Sequence, residues 1–142
     1  MDVAKIAAYL AKNPHTKINE IYGVGKCSGK RLPLIQVPTT AGTGSEVTPI
    51  SILVTESGLK QGISSPQLYA DWAILDAKTT LTLPKGPTAY SGVDAMVHAI
   101  EAYTNRFLKN DLSDHLARKA LDMLSKNVLT ATFEGEDEKA RG

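Results

Sequence analysis

Asp94 and His98 stand four residues apart in the stretch SGVDAMVHAIEAY. On a helix this spacing projects both side chains from one face. A carboxylate and an imidazole so placed suit a borderline divalent cation, iron(II) or zinc. A plain Asp–His helical pair, worth about 0.2–0.5 kcal/mol, satisfies the same spacing. A metal site normally takes three or four protein ligands, so the pair alone leaves both readings open. Glu101, one turn beyond His98, fits a solvated neighbour as well as a third donor.

The second candidate is the loop PTTAGTGSEVT. Gly42 and Gly44 can take positive φ and let backbone approach a ligand. Hydroxyls of Thr39, Thr40, Thr43 and Ser45 can donate to phosphate or ribose oxygens, and backbone N–H groups of such a loop can form an anion-binding concavity. The loop is neither GxGxxG nor a Walker motif. A tight connection between two strands explains the same composition. The remaining reactive residues are isolated. His115 lies beside Asp111 and Asp114 and reads as solvent-facing; His15 has no partner cluster. Cys27 follows Lys26, which favours the thiolate slightly, but a lone cysteine in a polar loop is ordinarily inert. Lys60 reads as a solvated lysine.

These residues need elements to hold them. Residues 2–12 read as a helix with Val3, Ile6, Ala7 and Leu10 on one face. Residues 15–30 read as loop. Leu32–Val37 (LPLIQV) and Trp72–Leu75 (WAIL) have the length and apolarity of short strands buried on both faces. Val47–Thr55 and Gln61–Ser64 flank Glu56-Ser57-Gly58 and suit a hairpin. After Leu83-Pro84 the period becomes helical. Val93, Met96, Val97 and Ile100 mark one helix running to about Phe107. Residues 112–130 form another, with Leu116, Leu121, Leu124 and Val128 facing inward and an Asp114–Arg118–Asp122 charge ladder outside. Asp111 or Ser113 is its expected N-cap. The tail GEDEKARG is expected to end without a further element. The shift from strands to helices puts a domain boundary near Pro84 and Pro87.

The totals exclude several classes. Of 142 residues, 42% are hydrophobic and 22% charged, with net charge +1, which is ordinary globular composition. No massed basic patch points to nucleic acid or a membrane surface, and the apolar runs fall far short of a membrane span. The single cysteine excludes an internal disulfide and fits a reducing compartment, so a soluble cytoplasmic protein is expected.

Several motifs together say more. PTTAGTGSEVTP, SSPQLYADWAILD, LTLP, TAYSGVDAMVHAIEAY and LSDHLARKAL follow one another in the order and spacing of the iron-containing (group III) alcohol dehydrogenase family. The resemblance runs from about residue 2 to about residue 130, and MDVAK is similar to the helix after that family's GGGS dinucleotide loop.

This resemblance implies a dehydroquinate-synthase-like subunit. Residues 1–84 would be the C-terminal part of an α/β dinucleotide-binding domain, and residues 85–142 the start of an all-helical metal-binding domain. It implies a hydride transfer between NAD or NADP and a small alcohol, aldehyde or ketone, in a cleft between domains, by a protein that is a homo-oligomer when full length. Thr39, Thr40 and Thr48, with Thr43 in the same loop, resemble the cofactor-lining residues, and Lys60 resembles the lysine that reaches the ribose. Asp94 and His98 match the first two metal ligands, for Fe2+ with Zn2+ as the alternative, and act in catalysis through the metal. The two later histidine ligands and the GGGS loop have no counterpart here, as expected of an internal fragment that holds neither cofactor nor metal well by itself. A hydroxyacid–oxoacid transhydrogenase and an inactive fragment are the alternatives.

Overall fold

The computed structural model describes residues 1–142. The chain divides into two compact units, Met1–Val37 with Ser45–Leu75, and Pro38–Gly44 with Asp76–Gly142.

In the first unit, α1 (Asp2–Leu10) turns Lys5, Ile6, Ala8 and Tyr9 inward. The expected face was drawn one step off: Val3 is 70% exposed, and Lys5 replaces it inside. The helix stops at Leu10 rather than Lys12, where Asn13 Nδ2 donates to Tyr9 O at 2.8 Å and to Lys30 O at 2.8 Å. The 15–30 stretch is not wholly loop. It contains a turn of 3-10 helix (Ile18–Glu20) and β1 (Gly23–Val24). A two-residue strand beginning with glycine leaves no periodic signal.

The expected hairpin is present, somewhat trimmed, as β3 (Ile50–Val54) and β4 (Lys60–Ser64), with Val54 opposite Lys60 and Ile50 opposite Ser64. Gly58, at φ +78°, closes its turn. β1 adds to β4 in parallel, giving the order β1-β4-β3. Ile6, Tyr9, Ile21, Cys27, Ile63 and Leu68 form the core under this sheet. Full burial of each large apolar side chain is worth roughly 1.5–3 kcal/mol. The Tyr9 hydroxyl is satisfied by Ser28, donating to its carbonyl at 2.9 Å and accepting its N–H at 3.0 Å.

LPLIQV and WAIL do pair, as β2 (Ile35–Gln36) and β5 (Trp72–Ala73) in parallel. They are not buried on both faces. Leu34 and Gln36 are inside, whereas Ile35 is 58% and Trp72 70% exposed, because nothing in this unit covers that side. A clamp pins the pair. Arg31 Nη1 and Nη2 meet the Asp71 carboxylate at 2.7 and 3.0 Å, and Asp71 Oδ2 also accepts Leu34 N–H at 2.7 Å.

The second unit is helical: a 3-10 turn (Ala77–Thr80) N-capped by Asp76, then α2 (Lys85–Thr104), α3 (Asp111–Phe133) and the short α4 (Glu138–Arg141). α2 starts earlier than its apolar period suggested and ends at Thr104, so Phe107 is outside it and 88% exposed. Its buried residues are Thr88, Gly92 and Ala99, not Val93, Val97 and Ile100, which are 55%, 44% and 48% exposed. Gly92 lets Val128 of α3 approach, while these large apolar residues of α2 stay exposed. Leu121, Leu124 and Val128 of α3 are half-buried as expected, but Leu116 is 56% exposed.

The expected N-cap is displaced by one position. Asn110 caps α3, accepting from Ser113 N–H at 2.9 Å while Ser113 Oγ accepts from Asn110 N–H at 3.2 Å. The Asp114–Arg118–Asp122 ladder does not form. Asp114 pairs with Lys109 at 2.8 Å and Asp122 with Lys126 at 2.7 Å. Nor does the tail end bare. Arg141 of α4 reaches back to Gly135 O at 2.5 Å, Thr80 O at 2.9 Å and Leu83 O at 3.2 Å. A cavity of about 340 Å³ lies in this unit, lined by Leu83, Gly92, Met123, Leu124, Val128 and Ala131 among others.

Candidate functional site

α2 carries Asp94 and His98 one turn apart, as their spacing predicts. His98 Nε2 lies 3.8 Å from Asp94 Oδ1, and the side chains are 49% and 45% exposed. A divalent ion bound at about 2.0–2.2 Å separates adjacent donors by roughly 3 Å, so a small side-chain rotation brings both onto one cation. The donor chemistry fits iron(II) or zinc. It supplies two positions only, since no group of three or more His, Cys, Asp or Glu is gathered in the chain. His15 and His115 are exposed and stand apart from the pair in sequence.

The hydroxyl-rich loop divides between the units. Thr39, Thr40 and Thr43 belong to the helical unit and are exposed. Gly42 serves space rather than φ: a Cβ there would stand 2.8 Å from Ser91 O on α2. Gly44 is the residue with positive φ, at +60°.

Ser45 and Thr48 belong to the first unit and are drawn inward. The Ser45 hydroxyl donates to Asp2 Oδ1 at 2.6 Å, so it is not free to donate to a phosphate as the sequence suggested. Lys5 Nζ donates to Ser45 Oγ at 3.1 Å, to Thr48 Oγ1 at 3.3 Å and to Ile50 O at 2.6 Å. Lys5 is fully buried. Burial lowers its pKa, and the charges of Asp2 and Glu46 oppose that shift. Lys60 is exposed at the turn end of the β3–β4 ladder. Thr48 precedes its other end, about 13 Å away at a rise of about 3.3 Å per residue along β3.

Sequence reasoning missed Asp2 and Lys5 as partners of this loop. The available signal was an acid and a base three residues apart in MDVAK, with the lysine on the inward face of an amphipathic helix. It also missed Arg31–Asp71, whose members are far apart in sequence. Cys27 was misplaced: it is 4% exposed in the core rather than in a polar loop. Burial pushes its thiol up, against a smaller opposing effect of Ser65.

Comparison with known proteins agrees with these elements. The family model for iron-containing alcohol dehydrogenase matches residues 1–77, and that for the C-terminal part of the Fe-containing alcohol dehydrogenase family matches residues 88–142. The chain belongs to the iron-containing alcohol dehydrogenase family. Among members of this family, the sulfoacetaldehyde reductase of Bilophila wadsworthia is 39% identical over 142 residues. That match covers 99% of this chain and 36% of the relative. The alcohol dehydrogenase structure from Oenococcus oeni superposes with a TM-score of 0.92 at 31% identity, over 99% of this chain and 36% of that one. The sulfoacetaldehyde reductase of Bifidobacterium kashiwanohense, solved in complex with NAD+, gives 0.89 at 36% identity, over 99% and 37%. The chain thus spans little more than a third of the iron-containing alcohol dehydrogenases it matches, in keeping with the expected fragment. No helix is long and apolar enough to cross a membrane.

Proposed function

We propose that this chain is the central part of a metal-dependent oxidoreductase that moves a hydride between a nicotinamide cofactor and a small alcohol, aldehyde or ketone. Residues 1–84 would contribute to the dinucleotide-binding domain and residues 85–142 would begin the helical metal-binding domain. Asp94 and His98 supply two ligands of the metal, iron(II) or zinc. Thr39, Thr40, Thr43 and Thr48 line the cofactor, and Lys60 serves its ribose. The whole protein would work as a homo-oligomer in the cytoplasm.

The observation that carries this reading is the half-exposed Asp94/His98 pair, its donors 3.8 Å apart on α2, in a chain whose family contains iron. When bound, the ion is a Lewis acid that polarises the substrate oxygen. Bound NAD or NADP would supply the hydride acceptor for alcohol oxidation, the hydroxyl proton passing to solvent, and the reduced form would supply the hydride donor for the reverse reaction. The task of these residues is placement. The α2 backbone fixes Asp94 and His98 on one face, and the hydroxyl loop meets the cofactor.

The test uses the full-length protein that carries this chain, with both its dinucleotide-binding and its helical domain complete. Asp94→Ala and His98→Ala should each remove bound iron and turnover together, measured by metal analysis and by NAD(P)H absorbance. Full turnover in a metal-free variant would overturn the reading.

A further inference from the structure

Lys5 is a buried cation in a position that composition alone would fill with an apolar residue. Its side chain is 0% exposed, and its three ammonium hydrogens have three acceptors: Ser45 Oγ, Thr48 Oγ1 and Ile50 O. Asp2, one turn earlier on α1, completes the set. Its Oδ1 accepts the Ser45 hydroxyl at 2.6 Å and its Oδ2 accepts Ile52 N–H at 2.8 Å, while Ser51 Oγ donates to Asp2 O at 3.1 Å. One turn of helix therefore holds the segment from Ser45 to Ile52 at five points.

We propose that Lys5 and Asp2 are positioning residues for the hydroxyl loop, presetting Ser45–Thr48 so that its ordering is complete before a nucleotide arrives. This rests on the cofactor reading given above. Charge-assisted hydrogen bonds made inside a protein are stronger than neutral ones and costly to break on one side. A loop ordered in advance also spares the ligand the entropy of ordering it. Ser45 is thereby a strut and not a ligand. Thr48 accepts from Lys5 and donates to Ser45 O at 3.3 Å, so its open lone pair suits a donor, a ribose hydroxyl or carboxamide N–H, better than a phosphate.

The test is amide hydrogen exchange with NMR titration of NADH and NADPH on the full-length protein that carries this chain and on its Lys5→Met and Asp2→Asn variants. Lys5→Met should speed exchange at Ser45–Ile52 by about tenfold or more while Ile63 and Leu68 keep their protection. Nucleotide-induced shifts at Thr39–Thr48 should weaken in parallel. Should Lys5→Met fail to fold, the partly exposed Asp2→Asn should show the same local loosening to a smaller degree. Unchanged exchange at Ser45–Ile52 in folded variants overturns the proposal. Local loosening with undiminished nucleotide shifts overturns its functional half. Loosening in a wild-type background that shows no nucleotide shifts at all upholds the brace and counts against the cofactor reading instead.

Discussion

A Cβ placed on Gly92 of α2 would stand 2.5 Å from Val128 Cγ2 on α3, so the two helices meet backbone to side chain at this point. Val128 cannot swing aside freely, because a β-branched side chain in a helix has one strongly preferred rotamer. Gly92→Ala gains about 1 kcal/mol of helix propensity and incurs about 1–3 kcal/mol of overpacking. The net change should be destabilising by the order of 1 kcal/mol in urea unfolding. Introduced on top of Val128→Ala, the same substitution should stabilise. A destabilisation of equal size in both backgrounds would show that Val128 is not the obstacle.

Asp71 sets an acid-sensitive joint. The Arg31 guanidinium, aided by Leu34 N–H, holds its carboxyl down to about 2 against the ordinary 3.8. A folded-state value below the unfolded one adds stability above the unfolded value, which is lost as pH falls through the folded value. The Arg31–Asp71 contribution should therefore be complete at neutral pH and fade between about pH 5 and pH 1. Asp71→Asn should lower the urea midpoint at pH 7 and lower it much less at pH 2. An equal loss at both values would mean that charge plays no part.

Cys27 should behave as a core residue. With its pKa raised by burial and its side chain 4% exposed, it should resist a disulfide-exchange reagent at pH 8 and react promptly once urea unfolds the first unit. Fast labelling of the native chain would contradict the placement.

Asn110→Ala removes the acceptor of Ser113 N–H and should lower stability by about 0.5–2 kcal/mol. Asp111→Ala should cost less, since Asp111 caps nothing. Calorimetry of the two variants compares them directly, and a reversed order would return the cap to Asp111.

The hairpin was legible because its alternation and its Gly58 turn are local signals, and the two long helices because twenty residues of period outweigh any single exception. Their inward faces were less legible. Val93 and Leu116 are apolar at helical spacing but exposed, while α2 is buried through Thr88, Gly92 and Ala99, which a search for large apolar residues passes over. LPLIQV and WAIL read as covered strands, yet this chain leaves Ile35 and Trp72 bare. The pattern is a statement about a surface that needs covering, and it does not say by what. Of the candidate site, the Asp94/His98 spacing is local and was read directly. The Lys5 and Arg31 networks join residues about 40 positions apart and are set by folding alone.

Trp72 is the sole tryptophan, and it lies 70% exposed on β5. The long-wavelength fluorescence of this chain therefore comes from one indole on one bare strand. Its emission should resemble that of an indole in water while the chain is folded and alone, and unfolding should shift it little. A blue shift would then register a single event, the arrival of a dry surface over β5, in a sample where nothing else emits at that wavelength.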